Sequence, residues 1–141
     1  MSESWSTPSD PDGAAAPAGP IEAGLSGPAL LVEDSMLIAI DVADQLHELG
    51  LDPIHTATTV REAMAHLDRA TPVLAVLDVD LGAETSHAVA ERLGAMGVPF
   101  ALTTGHGYDG EPVEGYPDVP VLRKPFGSGE LQALVRRLGR T

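Results

Sequence analysis

Acidic, hydroxyl and cationic residues stand directly after four apolar runs of this sequence: Glu33-Asp34, Asp78, Thr103-Thr104 and Arg123-Lys124-Pro125. If those runs are parallel strands of one sheet, the four groups converge on its carboxyl edge, where open α/β sheets bind ligands. Carboxylates brought together repel one another and raise their own pKa values unless a cation lies among them. The pattern therefore predicts a site for a hard divalent cation.

Mg²⁺ suits such a site because it takes a few carboxylate oxygens, keeps waters and leaves positions for phosphoryl oxygens. Lys124 would then supply a point charge for a phosphoryl group, and Thr104 a hydroxyl donor. Asp78, between ion and ammonium, would be the nucleophile. Each element alone also has a structural explanation, since an acid at a strand end is often a helix cap and Glu33-Asp34 would favour the dipole of a following helix.

Short apolar runs alternate with amphipathic segments along the chain, which is the pattern of βαβ units and a parallel sheet. Strands are predicted at 29–32, 53–55, 73–77, 98–103 and 119–122. Helices are predicted over 35–49, after a capping box at Thr59 and Glu62, after Thr85 or Ser86, and from near Ser128. Right-handed crossovers then give an open α/β sheet of five parallel strands.

Two segments do not follow this pattern. Residues 1–27 are rich in Ser, Pro, Ala, Gly and Asp, and we expect them to form a flexible tail before a single domain at 28–141. Trp5 in this tail is either part of an unstructured remnant or a docking anchor. Residues 105–117 are dense in Gly and Pro, so a fourth helix between the last two strands should be shortened or absent.

Composition narrows the class of protein. The 141 residues suffice for one domain, and the net charge of -13 disfavours nucleic acid and anionic membrane as partners. With no cysteine, disulfides and thiolate metal sites are excluded. The first residues lack a basic and an apolar region, and no run approaches the length of a membrane span, so a cytoplasmic location is expected.

From about Pro28 to Leu138 the chain resembles the response-regulator receiver family. Leu-Val-Glu33-Asp34 is similar to the acid pair of that family, Asp78 to its phosphoacceptor, Thr104-Gly105 to its switch threonine and following small residue, and Lys124-Pro125-Phe126 to its Lys-Pro motif. The resemblance implies a flavodoxin-like, doubly wound sheet with strand order 2-1-3-4-5.

The resemblance also implies a ligand set. In the family the second acid and the phosphoacceptor bind Mg²⁺ directly, so Asp34 and Asp78 would do so here. The first acid, Glu33, would act partly through water, and the backbone carbonyl of Asp80 would complete the shell. The Lys124–Pro125 bond is expected to be cis. Asp80 and His106 occupy positions that modulate dephosphorylation in the family, although His106 could equally be a solvated loop histidine.

Residues 78–82 and 99–105 resemble more narrowly a stand-alone subgroup marked by Pro-Phe-x-Phe-Ala-Thr-Gly-Tyr, which works with histidine kinases of the HWE class. The motif is imperfect, since Leu102, Thr103 and His106 replace its Phe, Ala and Tyr. Val121 stands where many receivers have an aromatic residue, so their usual rotamer switch is absent.

The expected function is acceptance of a phosphoryl group on Asp78 from a histidine kinase or histidine phosphotransfer protein. Such a protein catalyses only its own phosphotransfer and autodephosphorylation, and is expected to be a monomer that acts through protein contacts or as a phosphate sink.

Two alternatives stay open. One is a phosphatase of the haloacid-dehalogenase type, although its motifs follow a different chain order. The other is a pseudo-receiver that binds partners without being phosphorylated.

Overall fold

The computed structural model describes residues 26–105, 115–116 and 118–139. The predicted tail lies outside this range except for Ser26 and Gly27, and Gly27 already belongs to the first strand. The strands are β1 (Gly27–Val32), β2 (Leu51–Ala57), β3 (Leu74–Asp78), β4 (Asp80–Leu81), β5 (Glu84–Thr85), β6 (Phe100–Thr104) and β7 (Val121–Arg123). The helices are α1 (Met36–Glu48), α2 (Val60–Leu67), α3 (His87–Met96) and α4 (Ser128–Gly139).

Five strands form one parallel sheet in the order β2-β1-β3-β6-β7. Counted along this sheet alone, that is the predicted order 2-1-3-4-5, and the flavodoxin-like fold class is confirmed. The remaining strands, β4 and β5, form a separate antiparallel hairpin directly after β3. Sequence reasoning did not predict this hairpin, because strands of two residues carry no readable alternation.

Both faces of the sheet are covered by helices, which explains the continuous apolar character of β1, β3 and β6. Leu31 and Val76 point to the side where α1 and α4 pack, among residues such as Leu46 and Leu131. Leu30, Leu77 and Leu102 point to the opposite side, where α2 and α3 contribute Ala63, Leu67, Val89 and Leu93. The sheet is thus held rigidly between two apolar layers, and its polar strand ends are left at one edge.

Side chains cap the helices largely as predicted. Ser35 Oγ accepts a hydrogen bond from the Ile38 amide at 3.4 Å, and Thr59 Oγ1 accepts one from the Glu62 amide at 3.1 Å. Ser86 precedes α3 as predicted, but its side chain makes no capping bond. Each cap satisfies an amide that would otherwise lack an intrahelical partner.

The described part of the chain contains four helices, and none of its residues between β6 and β7 is helical. This agrees with the prediction that the fourth helix of the fold is shortened or absent. Tyr116 anchors the end of the segment, since its hydroxyl donates to the His87 carbonyl at 3.4 Å and its ring contacts Phe100 edge-on. Of the helices described, none is long and apolar enough to cross a membrane.

Candidate functional site

The carboxyl edge of the sheet brings the predicted site residues together. Val32 ends β1 just before Glu33-Asp34, Asp78 ends β3, Thr104 ends β6, and Lys124 follows β7. Backbone hydrogen bonds extend the pairing past the strand ends, including Glu33 N to Ala57 O at 3.0 Å and Lys124 N to Thr104 O at 2.8 Å. The backbone that carries the site is therefore part of the sheet rather than a free loop.

Three carboxylates form a cluster at this edge. Glu33, Asp34 and Asp78 each offer one oxygen, and these oxygens all lie within 4.8 Å of one another. Glu33 and Asp78 are buried, whereas Asp34 is exposed. The Ser35 amide donates to Glu33 Oε2 at 3.0 Å, and the Asp80 amide donates to Asp78 Oδ1 at 3.3 Å. The backbone thus orients two of the three carboxylates.

Lys124 lies between the two buried acids. Its Nζ is 2.8 Å from Glu33 Oε1 and 3.0 Å from Asp78 Oδ2. The Lys124–Pro125 peptide bond is cis, as the resemblance implied. One ammonium group is therefore shared by the first acid and the predicted phosphoacceptor, which the sequence alone did not reveal.

The protonation of this cluster follows from burial and charge. Burial raises the pKa of the Glu33 carboxyl and the charge of Asp78 adds to this, against the opposing hydrogen bonds from Lys124 and Ser35. Burial disfavours the charged form of Lys124, but its hydrogen bonds to Glu33 and Asp78 outweigh that cost and raise its pKa. Lys124 consequently stays cationic at neutral pH.

The donor set fits a hard divalent cation. A single ammonium, that of Lys124, contacts two of the three carboxylates, so the negative charge of the cluster is incompletely balanced. Exposed Asp34 gives the cluster an open side, and oxygen ligands with remaining water positions are what Mg²⁺ prefers. Glu33, Asp34 and Asp78 are the residues that could hold it.

The other predicted residues take different places. Thr104 is buried at the end of β6, and neighbouring Thr103 donates through Oγ1 to the Leu77 carbonyl at 3.5 Å. The Asp80 side chain is exposed at the start of the β4–β5 hairpin. The hairpin turns at Gly82, whose φ of 73° suits glycine and where a Cβ would lie 3.9 Å from Asp34 Oδ2. His106 lies outside the described residues.

An apolar surface beside the cluster was missed by sequence reasoning. Met36, Leu37 and Ile40 on the first turns of α1 are exposed, Leu37 to 83%. Leu37 also lines a groove of about 580 Å³ that reaches Lys124 and Phe126. In the sequence, Leu37 and Ile40 are interspersed with the apolar residues of α1 that pack in the core. The exposed residues and the core residues therefore could not be told apart by their spacing within this one helix.

Two histidines outside the carboxylate cluster contact each other. The rings of His55 on β2 and His66 on α2 are stacked, with centroids 3.8 Å apart and planes inclined by 8°. His66 is half-buried by this contact, and desolvation, then the charges of His55 and Arg69, lower its pKa. The pair could be foreseen only from the packing of α2 on β2.

Solved structures show similarity over most of the chain. SdrG from Sphingomonas melonis Fr1 is 37% identical with a TM-score of 0.70, and the match covers 81% of this chain and 97% of that one. The receiver domain of the response regulator PhyR from Erythrobacter litoralis is 27% identical with a TM-score of 0.68, covering 80% and 89%. A response regulator receiver protein from Sinorhizobium medicae WSM419, 23% identical with a TM-score of 0.71 and coverage of 82% and 96%, shares the fold.

No protein-family model matches the sequence, and no curated protein matches it. The structural neighbours are nevertheless receiver domains of response regulators, and they support a place in two-component signalling. These neighbours, together with the 37% sequence identity to SdrG over 97% of the SdrG chain, show that this chain belongs to the response-regulator receiver family.

Proposed function

We propose that Asp78 accepts a phosphoryl group from a phosphorylated histidine of a histidine kinase or histidine phosphotransfer protein. The observation that carries this proposal is the setting of Asp78, a buried carboxylate that contacts Lys124 within a cluster of three carboxylates at the carboxyl edge of the sheet. Buried acids that share a cation in this way are typical of reactive sites.

The chain's own residues account for the transfer. A carboxylate oxygen of Asp78 attacks phosphorus, the P–N bond to the donor imidazole breaks, and an acyl phosphate forms while solvent supplies the proton to the leaving nitrogen. Lys124 is close enough to Asp78 to offset charge on the new phosphoryl oxygens, and the Thr104 hydroxyl is a further donor. Mg²⁺, held by Glu33, Asp34, Asp78 and the Asp80 carbonyl, would neutralise the transferring group.

The exposed apolar surface formed by Met36, Leu37 and Ile40 is the surface we assign to the phosphodonor protein. It is continuous with the groove that reaches Lys124, so a protein docked there would carry its phosphohistidine to Asp78. Exposed apolar groups of this size beside a polar site commonly mark protein contacts. The resemblance of residues 99–105 to the subgroup motif favours an HWE-type kinase as donor.

The decisive experiment is transfer from phosphorylated histidine kinases, followed by intact mass. A gain of one phosphoryl group is expected for the protein with Mg²⁺ and for the control Asp44→Asn, which alters an exposed acid on α1. No gain is expected for Asp78→Asn, which lacks the nucleophilic carboxylate, or in excess chelator. A phosphoryl group retained by Asp78→Asn would disprove the assignment.

The same preparation separates the alternatives. Sustained turnover of a phosphate monoester would indicate a phosphatase, whereas the receiver modifies only itself and then dephosphorylates. No modification by any donor would favour a pseudo-receiver.

We propose further that the protein is a monomer in both its phosphorylated and its unphosphorylated state, and that Asp80 and His106 modulate dephosphorylation. Its output would proceed through protein contacts or loss of phosphate rather than through nucleic acid.

A further inference from the structure

A second groove lies at the edge of the sheet opposite the carboxylate cluster. It has a volume of about 320 Å³ and runs between the starts of β6 and β7 and the last turn of α4. Its apolar walls are Val98, Phe100, Val119 and Leu138, with Pro99 and Pro120 at the rim. Grooves of this size and lining take a single aromatic side chain or a short apolar segment.

The charge at this groove differs from that of the rest of the molecule. Arg137 lines it and is exposed. In the sequence, Arg136, Arg137 and Arg140 place three of the eight basic residues of the chain within five positions. One carboxylate, Asp118, also lines the groove. In a chain of net charge -13, this is a place where an acidic segment meets cations.

The chain itself contains such a segment. Residues 1–25 carry four acids, Glu3, Asp10, Asp12 and Glu22, with no Lys or Arg, and they include Trp5, the only tryptophan. The described structure starts at Ser26, on the same edge of the sheet as the groove, because all five strands run parallel. From β1 the groove is two to three strands away, about 10–15 Å at the spacing of neighbouring strands.

The length of the segment allows it to reach the groove. The 20 residues between Trp5 and Ser26 would span about 25 Å on average as a flexible chain. The path crosses Val73, which is 41% exposed at this edge and lies between β1 and β6. A tether of this length gives an effective concentration on the order of millimolar, so even weak contacts are populated.

We propose that the N-terminal segment docks on this groove, with the Trp5 indole between β6, β7 and the end of α4 and the acidic residues near Arg137. The larger groove beside α1 is also apolar, but the one cation among its described lining residues, Lys124, is already paired with Glu33 and Asp78, and Asp41 and the carboxylate cluster leave a net negative charge there. An acidic segment is repelled there. Charge therefore selects the groove at the opposite edge and leaves the phosphodonor surface open.

Trp5 fluorescence tests the proposal directly, since no other tryptophan contributes. We expect the emission of Trp5 in the full chain to be shifted to the blue of that in a peptide of residues 1–25. We also expect acrylamide to quench it about twofold or more less strongly than in the peptide. Arg137→Glu and raised salt should return both readings toward those of the peptide. The matched control Arg61→Glu, an equal charge change on exposed α2, should not. Emission and quenching equal to those of the peptide would overturn the proposal.

Methyl spectra locate the contact. Trp5→Ala should shift the methyl resonances of Val98, Val119 and Leu138 and leave those of Leu37 and Ile40 unchanged. Shifts confined to Leu37 and Ile40 would place the segment on α1 and contradict the assigned groove. Blue-shifted emission that is lost on dilution would show docking between chains, and this would refute an intramolecular contact.

Discussion

Lys124 is the residue on which the electrostatics of the site depend. It contacts Glu33 and Asp78 at once, and both acids are buried. Removing it leaves two buried carboxylates without their cation, which costs more than the net value of either ion pair. The stability of the protein is thus coupled to the charge state of the carboxylate cluster.

We predict that Lys124→Met lowers the free energy of unfolding by about 2 kcal/mol at pH 8. Because the pKa of Glu33 is raised in the native state, its protonation favours folding as the pH falls, and loss of the Lys124 hydrogen bond raises that pKa further. The deficit should therefore shrink toward pH 5, and Mg²⁺ should reduce it at pH 8. Urea unfolding measures both effects, with exposed Arg61→Met as control; a pH-independent deficit would contradict this account.

His66 should make the fold sensitive to mild acid. Its pKa is lowered by burial and by nearby His55 and Arg69, so the unfolded chain takes up the proton first and stability falls as the pH drops below about 6.5. Glu62 also faces His55 and has a lowered pKa, mainly through its hydrogen bonds to Thr58, so it remains charged in this range. His66→Gln should flatten the dependence between pH 7 and 5 in urea titrations, whereas His47→Gln, an exposed control on α1, should not.

The helices and the five sheet strands were largely predictable from sequence, because caps and apolar runs are local. Thr59 caps α2 and β3 is buried throughout, as their residue patterns indicated. Elements fixed by tertiary contacts were not predictable. The β4–β5 hairpin is one example, since Glu84 is held by the amide of Val60, 24 positions away, at 3.2 Å. The site residues were predicted by type and strand position, but the sharing of Lys124 between two acids required coordinates.

Glu84 links the hairpin after Asp78 to the start of α2. We predict that Glu84→Ala costs less than about 1 kcal/mol but speeds amide exchange across residues 79–86, because the hairpin loses its outer contact. Asp44→Ala, which removes an exposed acid elsewhere, should leave that exchange unchanged. Hydrogen exchange measured by NMR decides this, and faster exchange confined to α2 would show that Glu84 serves the helix alone.

At the scale of the molecule, the two edges of the sheet have different surfaces. The carboxyl edge combines the acid cluster with exposed apolar residues of α1, while the opposite edge carries Val73 and the arginines of α4. Such a division would let one edge bind the proposed phosphodonor protein while the other makes separate contacts. Chemistry and docking should therefore be separable by mutation.

Leu37→Ser is expected to slow phosphotransfer from a histidine kinase about tenfold while leaving phosphorylation by acetyl phosphate unchanged. Leu37 is almost fully exposed, so its loss should not disturb the fold. The matched control is Val73→Ser, which replaces an exposed apolar side chain by a polar one at the opposite edge. This variant should accept the phosphoryl group at the normal rate. Equal slowing with both donors would mean that Leu37 affects the reactive site rather than docking.

The shared ammonium also has a consequence for biosynthesis. Glu33 and Lys124 meet at 2.8 Å although 91 positions separate them in the chain, and β7 joins the sheet next to β6 only after both strands have been made. Closing so long a loop is slow compared with forming local structure. A nascent chain on the ribosome therefore lacks the complete pocket until β7 and Lys124 have emerged, so the two buried acids gain their shared cation only late in synthesis.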